Sequence, residues 1–82
     1  MAVNLADLKK GESGIIVSVN SVPKMKRHLA DMGVTPGSIV TLKRRAPLGD
    51  PLLFIVMDYR LSIRKSEAQN IIIEKIGERN GR

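Results

Sequence analysis

The chain contains 82 residues, of which 43% are hydrophobic and 27% are charged, a balance typical of one globular domain. Fourteen Lys and Arg against eight Asp and Glu leave a net charge of 14 − 8 = +6, which predicts attraction to a nucleic acid, an anionic membrane surface or an acidic protein face. The absence of cysteine excludes a disulfide framework, thiolate zinc sites and cysteine nucleophiles.

The inventory of catalytic groups is poor, with His28 as the single histidine and no glycine-rich string of the kinds that bind phosphate groups. We therefore predict a binding or regulatory module, not an enzyme, with no cofactor and no metal of its own. The longest apolar run, Leu52–Met57, is far shorter than the ~20 residues that span a bilayer. The N-terminus has no features of a secretion signal, so we expect a cytoplasmic protein with its domain over residues 1–76 and a flexible tail over residues 77–82.

The chain begins with a short turn followed by a strand. Leu5 and Leu8 are expected to pack one turn onto the domain before Gly11 breaks it. The β-branched stretch Gly14–Val19 predicts a first strand. One face of this strand is formed by Ile15, Val17 and Val19.

An amphipathic helix of about ten residues follows, because the apolar period changes to that of a helix. Ser21 is the expected N-cap, and Pro23 lies in the first turn, where a missing N–H costs little. Gly33 is expected just past the helix end, where glycine tolerates a left-handed conformation. The apolar stripe that we expect to face the core consists of Met25, Leu29 and Met32.

The second half of the chain is predicted to be mainly β structure. The predicted strands are Ile39–Arg45, Leu52–Met57, Arg60–Arg64 and Ile71–Ile76. The connection Ala46–Pro51 contains two prolines and a glycine, so it cannot continue a strand. A single helical turn is expected at Ser66–Gln69, with Ser66 as its cap. Five short strands with one helix predict an all-β fold, a small closed or nearly closed β-barrel.

The Ala46–Pro51 loop has two interpretations. In the structural one, Gly49 permits a positive φ, Asp50 bonds the backbone that directly follows it and the prolines restrict the unfolded chain. In the functional one, Leu48 at the tip of a stiff loop contacts a partner.

The basic groups at residues 24–27 and 43–45 also have two interpretations. They are either a solvated face or a positive surface that attracts the chain to an acidic partner or an anionic membrane leaflet.

Metal and nucleic-acid sites are both weakly indicated. His28 and Asp31 supply two ligands on one helix, fewer than the three or four protein ligands of a typical zinc site. We therefore expect an ordinary surface or packing histidine, and methionines that fill the core rather than bind iron. Phe54 and Tyr59 are the only aromatic residues, which disfavours a nucleic-acid interface, since such modules interleave basic residues with stacking aromatics.

Several spaced motifs, in the same order, resemble those of one family. Leu29–Gly37 is similar to the R-L-x-x-M-G-hydrophobic-x-P-G stretch of the ferrous iron transport protein A (FeoA) family, with His28 in place of its arginine. Arg45–Pro51 resembles that family's R-x-A-P-L-G-D-P loop, and Leu61–Ala68 resembles its L-S-L-R-x-x-E-A stretch. The opening Leu5–Glu12 is similar to its L-x-x-L-x-x-G start, so the resemblance extends over residues 5–74.

The resemblance implies an SH3-like β-barrel and a cytoplasmic accessory or regulatory protein of bacterial ferrous iron transport. Its implied partner is the FeoB-type membrane transporter, which joins a GTP-binding domain to an iron-transporting membrane domain. The residues that we expect to contact this partner are Arg45, Pro47, Leu48, Gly49, Asp50, Pro51 and Arg64. The alternatives are an RNA-binding basic barrel and a transition-metal-responsive module like the C-terminal domain of metal-dependent repressors. A monomer is favoured.

Overall fold

The computed structural model describes residues 2–76, so the predicted tail over residues 77–82 lies outside the described residues. Six strands form one antiparallel sheet in the order β1-β6-β2-β3-β4-β5. The strands are β1 (Ala2–Asn4), β2 (Ser13–Val19), β3 (Ile39–Arg45), β4 (Leu52–Val56), β5 (Tyr59–Ile63) and β6 (Ile71–Ile76). The helices are α1 (Pro23–Asp31) and the single-turn α2 (Lys65–Ala68), and a 3-10 turn covers Leu5–Asp7.

This architecture confirms the predicted all-β fold with one main helix. The sheet has six strands and not five because β1 pairs with β6, and a strand of three residues is too short to produce an alternating pattern. Three predicted strands differ from the structure by one residue at one or both ends. β2 begins at Ser13 and not at Gly14, β4 ends at Val56 and not at Met57, and β5 covers Tyr59–Ile63 and not Arg60–Arg64. Met57 and Asp58 form the turn between β4 and β5.

One hydrophobic core lies on the inner face of the sheet. Phe54 is fully buried at its centre, and the expected turn at the start of the chain supplies the fully buried Leu5 and Leu8. The other strand residues that are at most 4% exposed are Ile16, Val40, Leu42, Leu52, Val56, Ile63, Ile71 and Ile73. No polar or charged residue among those described is buried, so apolar packing holds this thin core together.

Helix α1 packs on this core through the predicted stripe. Leu29 is 4% exposed and Met25 packs against the core, whereas Met32 is half-buried. The predicted cap was wrong, because Val22 occupies the N-cap position without a side-chain hydrogen bond, while the Ser21 hydroxyl donates to Glu67 Oε1 at 3.2 Å. Gly33 follows the helix with φ +88°, and a Cβ placed there would lie 3.0 Å from the Tyr59 hydroxyl.

Two β-bulges change which residues face outward. In β2, Val17 is the extra residue in the pairing with β6, so Ile15 and Val17 are exposed while Val19 is buried. The prediction that Ile15, Val17 and Val19 share one face is therefore wrong, because a bulge reverses which side chains face inward beyond it. In β3, the extra residue is Lys43 in the pairing with β4, and Arg44 then pairs with Leu53.

Candidate partner-binding surface

The bulge in β3 positions a groove on the outer side of the sheet. The cross-strand row Arg44–Leu53–Ser62 runs over β3, β4 and β5 beside the Ala46–Pro51 loop. The groove has a volume of about 560 Å³ and is open to solvent. We call it the Arg44 groove, and its lining residues are Arg44, Arg45, Ala46, Pro47, Pro51, Leu53 and Ser62. Its lining combines apolar side chains with two arginines. Such an open groove suits a protein segment more than a small enclosed ligand.

The Ala46–Pro51 loop is closed by its own backbone. The Gly49 N–H donates to the Ala46 carbonyl at 2.7 Å, and the Ala46 N–H donates to the Pro51 carbonyl at 3.0 Å. Gly49 has φ +88°, a conformation that glycine adopts without a Cβ penalty. Leu48 is 96% exposed at the loop tip, so it does not fold back over the core. The loop presents an apolar side chain on a stiff frame.

Arg45, predicted as a contact residue, is bonded within the domain. Its Nη2 donates to the carbonyl of Ala6 at 3.0 Å and to that of Leu8 at 2.7 Å. These carbonyls belong to the segment that places Leu5 and Leu8 in the core. A charged donor on two carbonyls of a turn stabilises that turn. Arg45 therefore fastens the start of the chain to the end of β3.

Asp50 also makes a bond that the sequence motif did not indicate. Its Oδ1 accepts from the Lys65 N–H at 2.8 Å, which caps the first turn of α2 from a distant loop. Arg64, and not the predicted Ser66, occupies the N-cap position of α2. The bond from Asp50 brings the Ala46–Pro51 loop beside Arg64, so the two separate parts of the predicted site lie next to each other.

A second groove lies further along the outer side of β4. Its volume is about 380 Å³, and its lining residues are Gly37, Ser38, Ile39, Thr41, Ile55 and Met57. We call it the Met57 groove. Met57 is 76% exposed and Ile39 is 54% exposed. No sequence motif indicated this surface, because its apolar residues come from separate strands that only the sheet pairing brings together.

Ionic contacts near these grooves are sparse. Within residues 2–76, one ion pair is present, between Lys75 Nζ and Glu12 Oε1 at 3.4 Å. The pKa of Glu12 is lowered from 4.5, first because its carboxylate accepts a hydrogen bond from the Lys9 N–H and then because of Lys75. Across the same residues, no three His, Asp or Glu side chains are grouped as a metal site would need. The basic side chains beside the Arg44 groove are therefore not neutralised by a neighbouring carboxylate of the described chain.

The family of this chain is shown by a match that covers nearly all of the described domain. The family model of the FeoA domain matches residues 3–75. The chain belongs to the FeoA domain family. This membership confirms the resemblance of the loop and helix motifs.

Three similar proteins support this assignment. The chain is 32% identical over 74 residues to the "Fe(2+) transport protein A/Fe(2+) transporter FeoB fusion protein" of Porphyromonas gingivalis, covering 90% of this chain and 9% of that protein. The chain thus spans less than a tenth of that relative. The solution structure of FeoA from Chlorobium tepidum superposes with a TM-score of 0.88 at 32% identity, covering 92% of this chain and 71% of that one.

A third similar protein connects the fold to SH3 domains. The structure of FeoA from Stenotrophomonas maltophilia, complexed with zinc, has a TM-score of 0.77 at 28% identity, covering 88% of this chain and 89% of that one. That protein is described as a procaryotic SH3 domain protein with a proposed role as an activating factor of ferrous iron transport. The predicted SH3-like fold is confirmed. Within residues 2–76, no helix has the length and apolar character needed to cross a membrane.

Proposed function

We propose that this chain is a cytoplasmic, non-enzymatic accessory protein of ferrous iron transport that binds a FeoB-type transporter. The observation that carries the proposal is the Porphyromonas gingivalis relative, in which an FeoA part and an FeoB part belong to one polypeptide. Covalent linkage keeps two modules at a high effective concentration, which favours a function that needs both. The accessory protein alters transport by binding one state of the transporter more tightly than another.

The proposed contact is the tip of the Ala46–Pro51 loop together with Arg64. Leu48, Pro47 and Pro51 are exposed on a loop that is already ordered, so docking costs little conformational entropy. Arg64 lies beside this loop and adds a positive charge that speeds encounter with an acidic face. Arg45 and Asp50 support the contact indirectly, since their side chains hold the loop and its neighbours in place.

The test is binding of the cognate FeoB-type transporter to Leu48→Ser, with the transporter nucleotide-free and GTP-bound. We expect binding to fall several-fold while the melting temperature stays within error, because Leu48 is 96% exposed. Val22→Ser is the matched control, since Val22 is 67% exposed at the start of α1. Wild-type binding by both Leu48→Ser and Arg64→Ala would refute this contact, and a wild-type chain that does not bind the transporter would refute the function.

A further inference from the structure

An apolar patch crosses the outer face of the sheet. Ile15 of β2 pairs directly with Ile39 of β3, and both side chains are exposed, by 39% and 54%. Ile39 shares the Met57 groove with Ile55 and Met57. Ile55 and Leu53 are two residues apart on β4, so they lie on the same face of the sheet and connect the Met57 groove to the Arg44 groove. The two grooves therefore adjoin along the outer side of β4, and we call them together the channel.

Met57 has an unusual backbone for a residue with a long side chain. Its φ is +57°, in the left-handed region where the described chain otherwise places only glycines. Glycine would relieve this strain in a tight turn. The methionine nevertheless stands there, and 76% of its side chain is exposed instead of packed in the core. Met57 lies in the two-residue turn between β4 and β5, where a positive φ is usual. Its exposed side chain extends the apolar patch to the end of β4 and makes it a candidate contact with another molecule.

Basic residues border the same channel. Arg60 pairs with Ile55 across β4 and β5, and Arg44 pairs with Leu53 across β3 and β4. Both arginines are exposed and lack a carboxylate partner within the described residues. Lys43 is exposed between Leu42 and Arg44 and adds a further positive charge near the groove. A segment lying on the apolar floor would therefore meet positive charge on both sides.

We propose that this channel binds an acidic amphipathic helix of the FeoB-type transporter, an inference that rests on the proposed function for the identity of the partner. The face of a sheet offers side chains but no backbone donors or acceptors. An extended segment lying there would bury unpaired backbone groups, whereas a helix satisfies its own. The stretch Pro51–Met57 is roughly 20 Å long at about 3.3 Å per residue, which matches a helix of about 14 residues at 1.5 Å per residue.

The first experiment measures transporter binding by two variants of the channel. Met57→Gly removes the exposed side chain and relieves the positive φ, so its melting temperature should equal or exceed that of the wild type. Ile39→Thr keeps a β-branched residue in the strand. We expect each variant to bind the transporter at least fivefold more weakly, while Val22→Ser binds as the wild type does. If Leu48→Ser weakens binding but both channel variants bind normally, the channel inference is wrong and the proposed function stands.

The second experiment tests the chemistry of the channel without the transporter. The probes are two helix-stapled peptides of about 14 residues with the same leucine face, one flanked by glutamates and the other by lysines. In NMR titrations of the isotope-labelled chain, the glutamate peptide should shift the amides of Ile39, Ile55 and Met57, and Arg60→Glu should abolish these shifts. Arg27→Glu, the same charge change on α1, should not. Equal shifts from both peptides, or shifts confined to other surfaces, would overturn the inference.

Discussion

Replacement of Arg45 by alanine tests whether this arginine is a structural residue of the domain. Its Nη2 donates hydrogen bonds to the carbonyls of Ala6, at 3.0 Å, and Leu8, at 2.7 Å. Ala6 lies within the 3-10 turn and Leu8 directly follows it. Hydrogen bonds to a charged group contribute about 1.5–3 kcal/mol each. Both bonds here come from one nitrogen of a side chain that is largely exposed, so we expect a combined loss of about 2 kcal/mol. A domain of this length has a total stability of about 4–12 kcal/mol.

The assay is urea denaturation followed by far-ultraviolet circular dichroism, with Arg44→Ala as the matched control. Arg44 carries the same charge one residue earlier, and its side chain lies on the outer groove. We expect Arg44→Ala to change the free energy of unfolding by less than about 0.5 kcal/mol. Equal free energies of unfolding for the two variants would refute the structural role of Arg45. A stable Arg45→Ala that also loses transporter binding would return Arg45 to the contact surface.

Three further substitutions test the helix, its end and the ion pair between Lys75 and Glu12. Leu29→Ala should lower the free energy of unfolding by roughly 2–5 kcal/mol, because Leu29 on the inner side of α1 is only 4% exposed. A loss below about 0.5 kcal/mol in a denaturant titration would contradict that packing. Gly33→Ala should lower the melting temperature, since φ is +88° and the new Cβ would lie 3.0 Å from the Tyr59 hydroxyl; an unchanged melting temperature would contradict this. Glu12→Gln should destabilise the domain at neutral pH, because the lowered pKa of Glu12 in the folded state stabilises the domain only while the carboxylate is ionised. The difference in stability between the variant and the wild type should therefore shrink as pH falls below 4.5. A difference that is constant from pH 7 to pH 3 in urea titrations would refute it.

Local patterns in the amino-acid sequence were enough to predict the class of the fold and the position of its main helix. The stripe at Leu29 and the glycine at Gly33 depend on neighbours within two turns of the chain, so local pattern was sufficient to predict them. The loop at Ala46–Pro51 was identified by its prolines and glycine. These signals act over a few residues, and the tertiary structure preserves them.

The contacts of the loop residues and the composition of the outer faces depend on residues that are distant in the sequence. Arg45 bonds carbonyls 39 and 37 residues away, and Asp50 caps a helix 15 residues away. Such bonds leave no periodic trace in the sequence. The bulges at Val17 and Lys43 arise from the register of neighbouring strands, and each reverses the outward face of the residues beyond it. The channel along β4 exists because these registers align outward side chains from separate strands, which no single stretch of sequence specifies.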